Sequence, residues 1–130
     1  MSDQQIRATF DEFTRAWNAH DVAAMAACWT ASGNAVDLWG RLAAGHDGVV
    51  ALLGGEHAGP MRASRYRVED IRVRSLSDES AVVECDAFIE GVIAPNGRVY
   101  ELAHRIDAIV ADAGDGQWRF VTLHPSFTRA

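Results

Sequence analysis

The chain is predicted to be an α+β domain with helices packed on one face of a bent antiparallel sheet, and three observations lead there. Apolar residues recur at helical spacing near the start of the chain. From Arg65 onward the composition turns to β-branched and aromatic residues in four separate runs. The breaks between those runs are short turns suited to antiparallel neighbours. Helices first and strands after is the element order of an α+β layer architecture. With 130 residues, 48% of them hydrophobic, the chain can bury a core without disulfides and leaves no room for a second domain, so residues 1–130 are taken as one unit.

The first helix is predicted over Asp3 to Ala19, where Ile6, Phe10, Phe13 and Trp17 fall on one face and Ser2 or Asp3 can cap the start. His20-Asp21 interrupts it. Asp21 then serves as N-cap of a short second helix through VAAMAACW, which is rich in strong helix formers. Ser32-Gly33-Asn34 is predicted to turn, and AVDLWG, Ala35 to Gly40, to alternate as a brief strand. A third helix is predicted over Gly45 to Glu56, weakened by Gly48, Gly54 and Gly55.

The strand runs are RYRVEDIRVRSL, SAVVECDAFIEGVI, VYELAHRIDAIV and QWRFVTLHPSF. They are separated at Ser77-Asp78-Glu79, Pro95-Asn96-Gly97 and Ala113-Gly114-Asp115-Gly116. In the first run the apolar set slips phase between Val68 and Ile71, which predicts a β-bulge that bends the strand. In the second, Val83, Cys85, Ala87 and Ile89 form the inner face, and the small Cys85 and Ala87 leave space above the sheet.

Composition excludes several classes of function. A net charge of −6 argues against nucleic acid, which requires clustered positive charge. All 12 basic residues are Arg, scattered rather than massed. Cys28 and Cys85 stand alone, with no zinc-type spacing, so no metal site and no cofactor is expected. MSDQQIRATF has neither the basic segment nor the apolar run of a signal peptide, and no run approaches a membrane span, so a cytoplasmic protein is expected.

The run DVAAMAACWTASGNAVDLWG, Asp21 to Gly40, resembles the nuclear transport factor 2-like superfamily where a short second helix leads into the first strand. It is most like the ketosteroid isomerase and SnoaL-like forms. DESAVV and GQWRFVTLHPS resemble the kinase association domains and the small SgcJ/EcaC-type proteins of that superfamily. The resemblance implies a cone: a curved antiparallel sheet wrapped around the long N-terminal helix, with two further short helices and a pocket at the wide end. It implies a catalytic aspartate at Asp37, and a second acid facing the pocket at Asp107, from the pair Ile106-Asp107. An inward Arg105 follows from the same likeness. The hydroxyl donor that ketosteroid isomerases carry on the first helix is replaced by Phe13, so that reaction would lack a donor where charge develops. Tyr66 or Tyr100 could supply one, and nothing in the spacing selects either.

Asp37 under a covering Trp39 would be a general base, or else a solvated aspartate beside a turn. Arg105 and Asp107 share one face of YELAHRIDAIV. Periodicity alone puts that face outside, because Leu102, Ile106, Ala108 and Val110 make the greasier one; the resemblance turns it inward. There Arg105 could hold a ligand carboxylate. His104 is predicted to oppose His124, too few ligands for a metal. The two would instead lie with Phe88, Trp118 and Phe120 on an outer apolar face that forms a homodimer. His46 and His57 are expected at the surface. Trp17 is the residue of the first helix best placed to reach the pocket. The expected function is therefore a SnoaL-like pocket for a small apolar or carboxylate-bearing ligand, lined by Phe13, Trp17, Asp37, Trp39, Arg105 and Asp107. Its chemistry would be proton transfer of isomerase, cyclase or hydratase type, or else the domain binds or assembles without catalysis.

Overall fold

The computed structural model describes residues 2–127. The chain runs α1 (Ser2–Asn18), α2 (Val22–Ala26), β1 (Trp29–Val36), β2 (Leu42–Ala44), α3 (Gly45–Ala58), β3 (Arg65–Ser77), β4 (Ser80–Ile93), β5 (Val99–Asp112) and β6 (Trp118–Phe127). One six-stranded sheet has the order β2-β1-β6-β5-β4-β3. It is antiparallel except where β1 runs parallel to β6.

The apolar stripe of α1 buries Ile6, Phe10, Phe13, Ala16 and Trp17 against the sheet. Polar contacts fix the helix in place. Arg7 Nη2 donates to the Ile71 carbonyl at 2.8 Å, and Thr9 Oγ1 to the Trp118 carbonyl at 2.6 Å. Asn18 donates to the Tyr66 carbonyl and accepts from the Tyr66 amide, as a neighbouring strand would. Asp21 caps α2 as expected, its Oδ1 accepting from Ala24 N at 3.1 Å.

Two bulges bend the sheet around α1. The first is the phase slip seen in the sequence: pairing skips between Glu69 and Arg72, and Asp70 takes φ 55°. Aspartate tolerates the left-handed region better than most residues. The second lies between Ile89 and Val92, where Gly91 has φ +76° and a Cβ would sit 2.8 Å from the Ala63 carbonyl oxygen.

The structure corrects two local expectations. Ser32-Gly33-Asn34 is not a turn but an irregularity inside β1, where pairing with β6 shifts between Trp29 and Asn34. Gly33 is needed there because a Cβ would meet the Phe120 carbonyl oxygen at 2.9 Å. Asp37 to Gly40 is the turn: Asp37 N donates to Arg41 O at 2.9 Å and Gly40 N to Asp37 O at 3.1 Å.

A third correction concerns the outer face. Asp112 pairs with Trp118 and Val110 with Phe120, a register that does not set His104 against His124. The Asp112 carboxylate accepts from Gly114 N and Gly116 N, which makes the β5–β6 connection wider than the turn assumed from sequence. Trp118 and Phe120 consequently point inward, 4% and 0% exposed. A bulge after Phe120 then turns Leu123 in and His124 out. His124 lies opposite Asp107, and His104 lies opposite Phe127, so the two imidazoles do not face each other. Of the residues expected outside, Phe88 and His124 are there; His104, Trp118 and Phe120 are inside. Among the described residues no helix is long and apolar enough to cross a membrane, and no group of three or more His, Cys, Asp or Glu is placed to hold a metal ion.

Candidate functional site

Between α1, α3 and the inner face of the sheet lies a cavity of about 50 Å³. That is room for a small number of waters rather than for a drug-sized ligand. Phe13, Trp17 and Trp29 form one wall and Leu53, Ile89 and Ile106 the other. Phe13 stands at the centre of an aromatic cluster, edge-on to Trp17, Trp29, Tyr66 and Phe120 with centroids 5.5–5.9 Å apart. Trp17 stacks on Tyr66 at 4.8 Å and donates its Nε1–H to Ser64 Oγ at 2.9 Å. Four polar side chains reach this apolar lining: Asp37, Glu56, Tyr66 and His104.

Asp37 opens onto the cavity with its side chain fully buried. Oδ1 accepts from Trp39 N at 2.9 Å and Arg41 N at 2.8 Å, and Oδ2 accepts from Arg41 Nε at 2.6 Å. Three donors hold this carboxylate and fix its turn. Trp39 does not cover it. Because DLWG turns instead of extending, Trp39 is 51% exposed and lies under the Arg41 guanidinium, 5.8 Å from ring centre to Cζ.

Glu56 presents a different environment. It is on the last turn of α3, following Val49 and Leu53 on the buried face of that helix, and is itself buried. Among the described residues its carboxyl has no hydrogen-bond or ion-pair partner. Burial pushes its pKa up to about 7, helped by the charge of Asp37 and opposed by that of Arg41. A carboxyl in this condition exchanges its proton near neutrality, as a general acid or base must.

His104 is 4% exposed, and its Nδ1 has no partner. Burial, opposed by a backbone hydrogen bond with Leu102, pushes its pKa down to about 4, which favours the neutral ring. Its centroid lies 6.5 Å from that of Tyr66, whose hydroxyl burial holds well above the ordinary phenol range. His57, expected at the surface, is instead half-buried. Its ring meets Trp17 edge-on at 4.4 Å, and its Nδ1 is 2.9 Å from His20 Nδ1. Burial, with His20 adding to it, lowers its pKa to about 4.

Arg105 and Asp107 do not belong to this site. Arg105 is exposed and Asp107 half-exposed on the outer face, while His104, Ile106, Ala108 and Val110 are buried. Alternation decides the matter: turning the charged pair inward would put the apolar set in water and two charges in a very small cavity. The resemblance had reversed an orientation that periodicity placed correctly. The structure thus brings Phe13, Trp17 and Asp37 together at the cavity, sets Trp39 at the surface and turns Arg105 and Asp107 away. Sequence reasoning passed over Glu56, although the spacing Val49, Leu53, Glu56 put it on the buried stripe of α3.

A long helix held in a curved antiparallel sheet is the cone architecture of the nuclear transport factor 2-like superfamily. The chain belongs to the SnoaL-like domain family, which its residues 6–130 match. No curated protein matches the sequence. Among solved structures the chain is similar to an uncharacterized protein with a cystatin-like fold from Caulobacter vibrioides, at 20% identity and TM-score 0.87, covering 98% of this chain and 89% of that one. It is similar to a putative scytalone dehydratase from Novosphingobium aromaticivorans, at 16% identity and TM-score 0.87, covering 98% and 85%. It is also similar to a type 2 hexachlorocyclohexane dehydrochlorinase, at 14% identity and TM-score 0.86, covering 98% and 86%. At these identities the likeness is one of fold.

Proposed function

We propose that the cavity carries out proton-transfer chemistry of isomerase, cyclase or hydratase type on a small apolar, oxygenated ligand, with Glu56 moving the proton. The observation that carries this is a buried carboxyl, unpaired among the described residues, that lines the cavity; burial there pushes its pKa up to about 7. As the carboxylate it takes a proton from a C–H made acidic by a neighbouring carbonyl; as the acid it returns one elsewhere on the same ligand. The orphaned Nδ1 of His104, in the tautomer that protonates it, donates to the oxygen on which charge develops. Asp37 keeps the turn in place and, by repulsion, helps to keep Glu56 near neutral pH. Two fold neighbours are named for eliminations, a dehydratase and a dehydrochlorinase, which is consistent with removal of a proton in such a pocket.

Deuterium exchange into the α-carbon of cyclopentanone, followed by NMR, tests the proposal. Wild-type protein is expected to accelerate exchange, and Glu56→Gln to lose about 10²-fold of that acceleration. Equal rates in the two proteins would remove Glu56 from the chemistry. The second reading, a noncatalytic binding domain, is favoured by the small cavity and the three donors that hold the Asp37 carboxylate. It is selected if ligands bind and no exchange occurs in wild type. We also keep a homodimer through the outer sheet face as a proposal. It rests on Phe88 and His124, now joined by the exposed Ile109 and Val121. Sedimentation showing monomer only at micromolar concentration would exclude it.

A further inference from the structure

We infer that residues 54–58, the last turn of α3, form a lid on the pocket that hinges at Gly54-Gly55 and is latched by His57 on His20. The inference rests on the pocket reading above and adds to it how a ligand is admitted.

The cavity, at about 50 Å³, has room for a small number of waters, so a larger ligand must displace part of its wall. Most of that wall is pinned. Arg7, Thr9 and Asn18 tie α1 to carbonyls of β3 and β6, and the strands hold one another through their ladders. α3, which supplies Leu52, Leu53 and Glu56 to the lining, is held differently. Its N-terminus has no side-chain cap, and among the described residues its only side-chain hydrogen bond is the one between His57 and His20.

Two adjacent glycines interrupt α3 just before Glu56. Gly59, after the helix, answers to a close approach, since a Cβ there would sit 3.0 Å from the Gly55 carbonyl oxygen. Gly54 and Gly55 answer to none: a Cβ on either would meet nothing within 4 Å, and neither takes a positive φ. Each nonetheless disfavours the helical turn by about 4-fold relative to alanine. They make a hinge.

The latch lies beyond it. His20 follows α1 with φ 54°, in the left-handed conformation that favours glycine at a helix end. Its Nδ1 lies 2.9 Å from His57 Nδ1, so one ring donates and the other accepts. That contact accounts for a histidine where glycine is easier, and it joins the α1–α2 junction to the end of α3. His57 also meets Trp17 edge-on at 4.4 Å, and Trp17 lines the cavity. Swinging the turn outward parts His57 from Trp17 and takes Glu56 with it, which widens the cavity between α1 and α3.

Amide hydrogen exchange followed by NMR, together with titration by indanone, a bicyclic ketone, tests the inference. The amides of Glu56, His57 and Ala58 are expected to open far more often than those of β4 and β5. Gly54→Ala combined with Gly55→Ala adds two methyls in open space. The pair is expected to slow that opening, and to weaken indanone binding, by about 10-fold or more. His20→Gly suits the backbone and removes the latch, and is expected to speed opening by about 3-fold. A His20 that serves only to end α1 would leave the exchange unchanged or slow it. Opening of His20→Gly no faster than wild type, or indanone affinity unchanged in the double alanine variant, would overturn the lid. Cyclopentanone exchange retained alongside either result sinks the lid alone. Opening that responds to both variants, in a wild-type protein that neither binds indanone nor exchanges cyclopentanone, keeps the lid and sinks the pocket reading.

Discussion

Phe120→Ala is expected to cost about 3–5 kcal/mol of folding stability, measured by urea denaturation, a large share of the ~5–15 kcal/mol that holds a domain of this size together. Phe120 is 0% exposed and its ring meets Trp29 at 5.0 Å, Phe10 at 5.1 Å and Phe13 at 5.8 Å. Truncation removes the group on β6 that joins α1 to β1 and leaves a void that the rings of Phe10 and Phe13 on α1 and Trp29 on β1 cannot all close. The same substitution on an outer sheet face would cost within about 1 kcal/mol, because little packing would be lost. The experiment thus decides the phase of β6. Phe13 and Trp29 also wall the cavity, so the variant is expected to loosen the site along with the core.

Glu56→Gln is expected to stabilise the protein at pH 8 by up to ~3 kcal/mol and to change little at pH 4. The sign follows from proton counts. Folded Glu56 holds its proton to about 7 against an ordinary value of 4.5, so between those values the folded chain binds more protons than the unfolded one. Its contribution to stability is complete below 4.5 and is lost as pH rises through about 7. His57 and His104 behave in the opposite way. Both are pushed down to about 4 from 6.5, chiefly by burial, so the unfolded chain binds the extra protons and stability is lost as pH falls from 6.5 towards 4. Where the windows overlap, Glu56 offsets one of the two histidines. The rise of wild-type stability with pH there should correspond to about one proton, and that of Glu56→Gln to about two. Urea midpoints across this range read the slopes; parallel curves for the two proteins would contradict the account.

The elements that sequence made legible were those decided locally. The four long strands, the cap at Asp21 and the bulge at Asp70 follow from alternation, capping chemistry and a one-residue phase slip. The inward face of β5 was also legible, and the error there came from letting the resemblance override the apolar pattern. What could not be read was set by partners distant in sequence. Gly33 lies within β1, so close to β6 that a Cβ there would meet the Phe120 carbonyl oxygen at 2.9 Å, and the phase of Trp118 depends on how Asp112 widens the preceding turn. Asp37 was found as a candidate, but the three donors that hold it were not, since an aspartate within a brief strand and one held by its own turn look alike in a sequence. Glu56 sits in a glycine-rich helix, where one acid carries no mark of burial except its spacing from Leu53 and Val49. Its lack of a partner is a property of the assembled pocket.

The central claim is that Glu56 is a buried acid that ionises near neutrality inside the pocket. The direct measurement is the titration of its side-chain carboxyl by carbon NMR, assigned through Glu56→Gln. A midpoint raised to about 7 is the expected result. A midpoint near the ordinary 4.5 would mean that the carboxyl is solvated or paired, and the proposed proton transfer would lose its acid–base group.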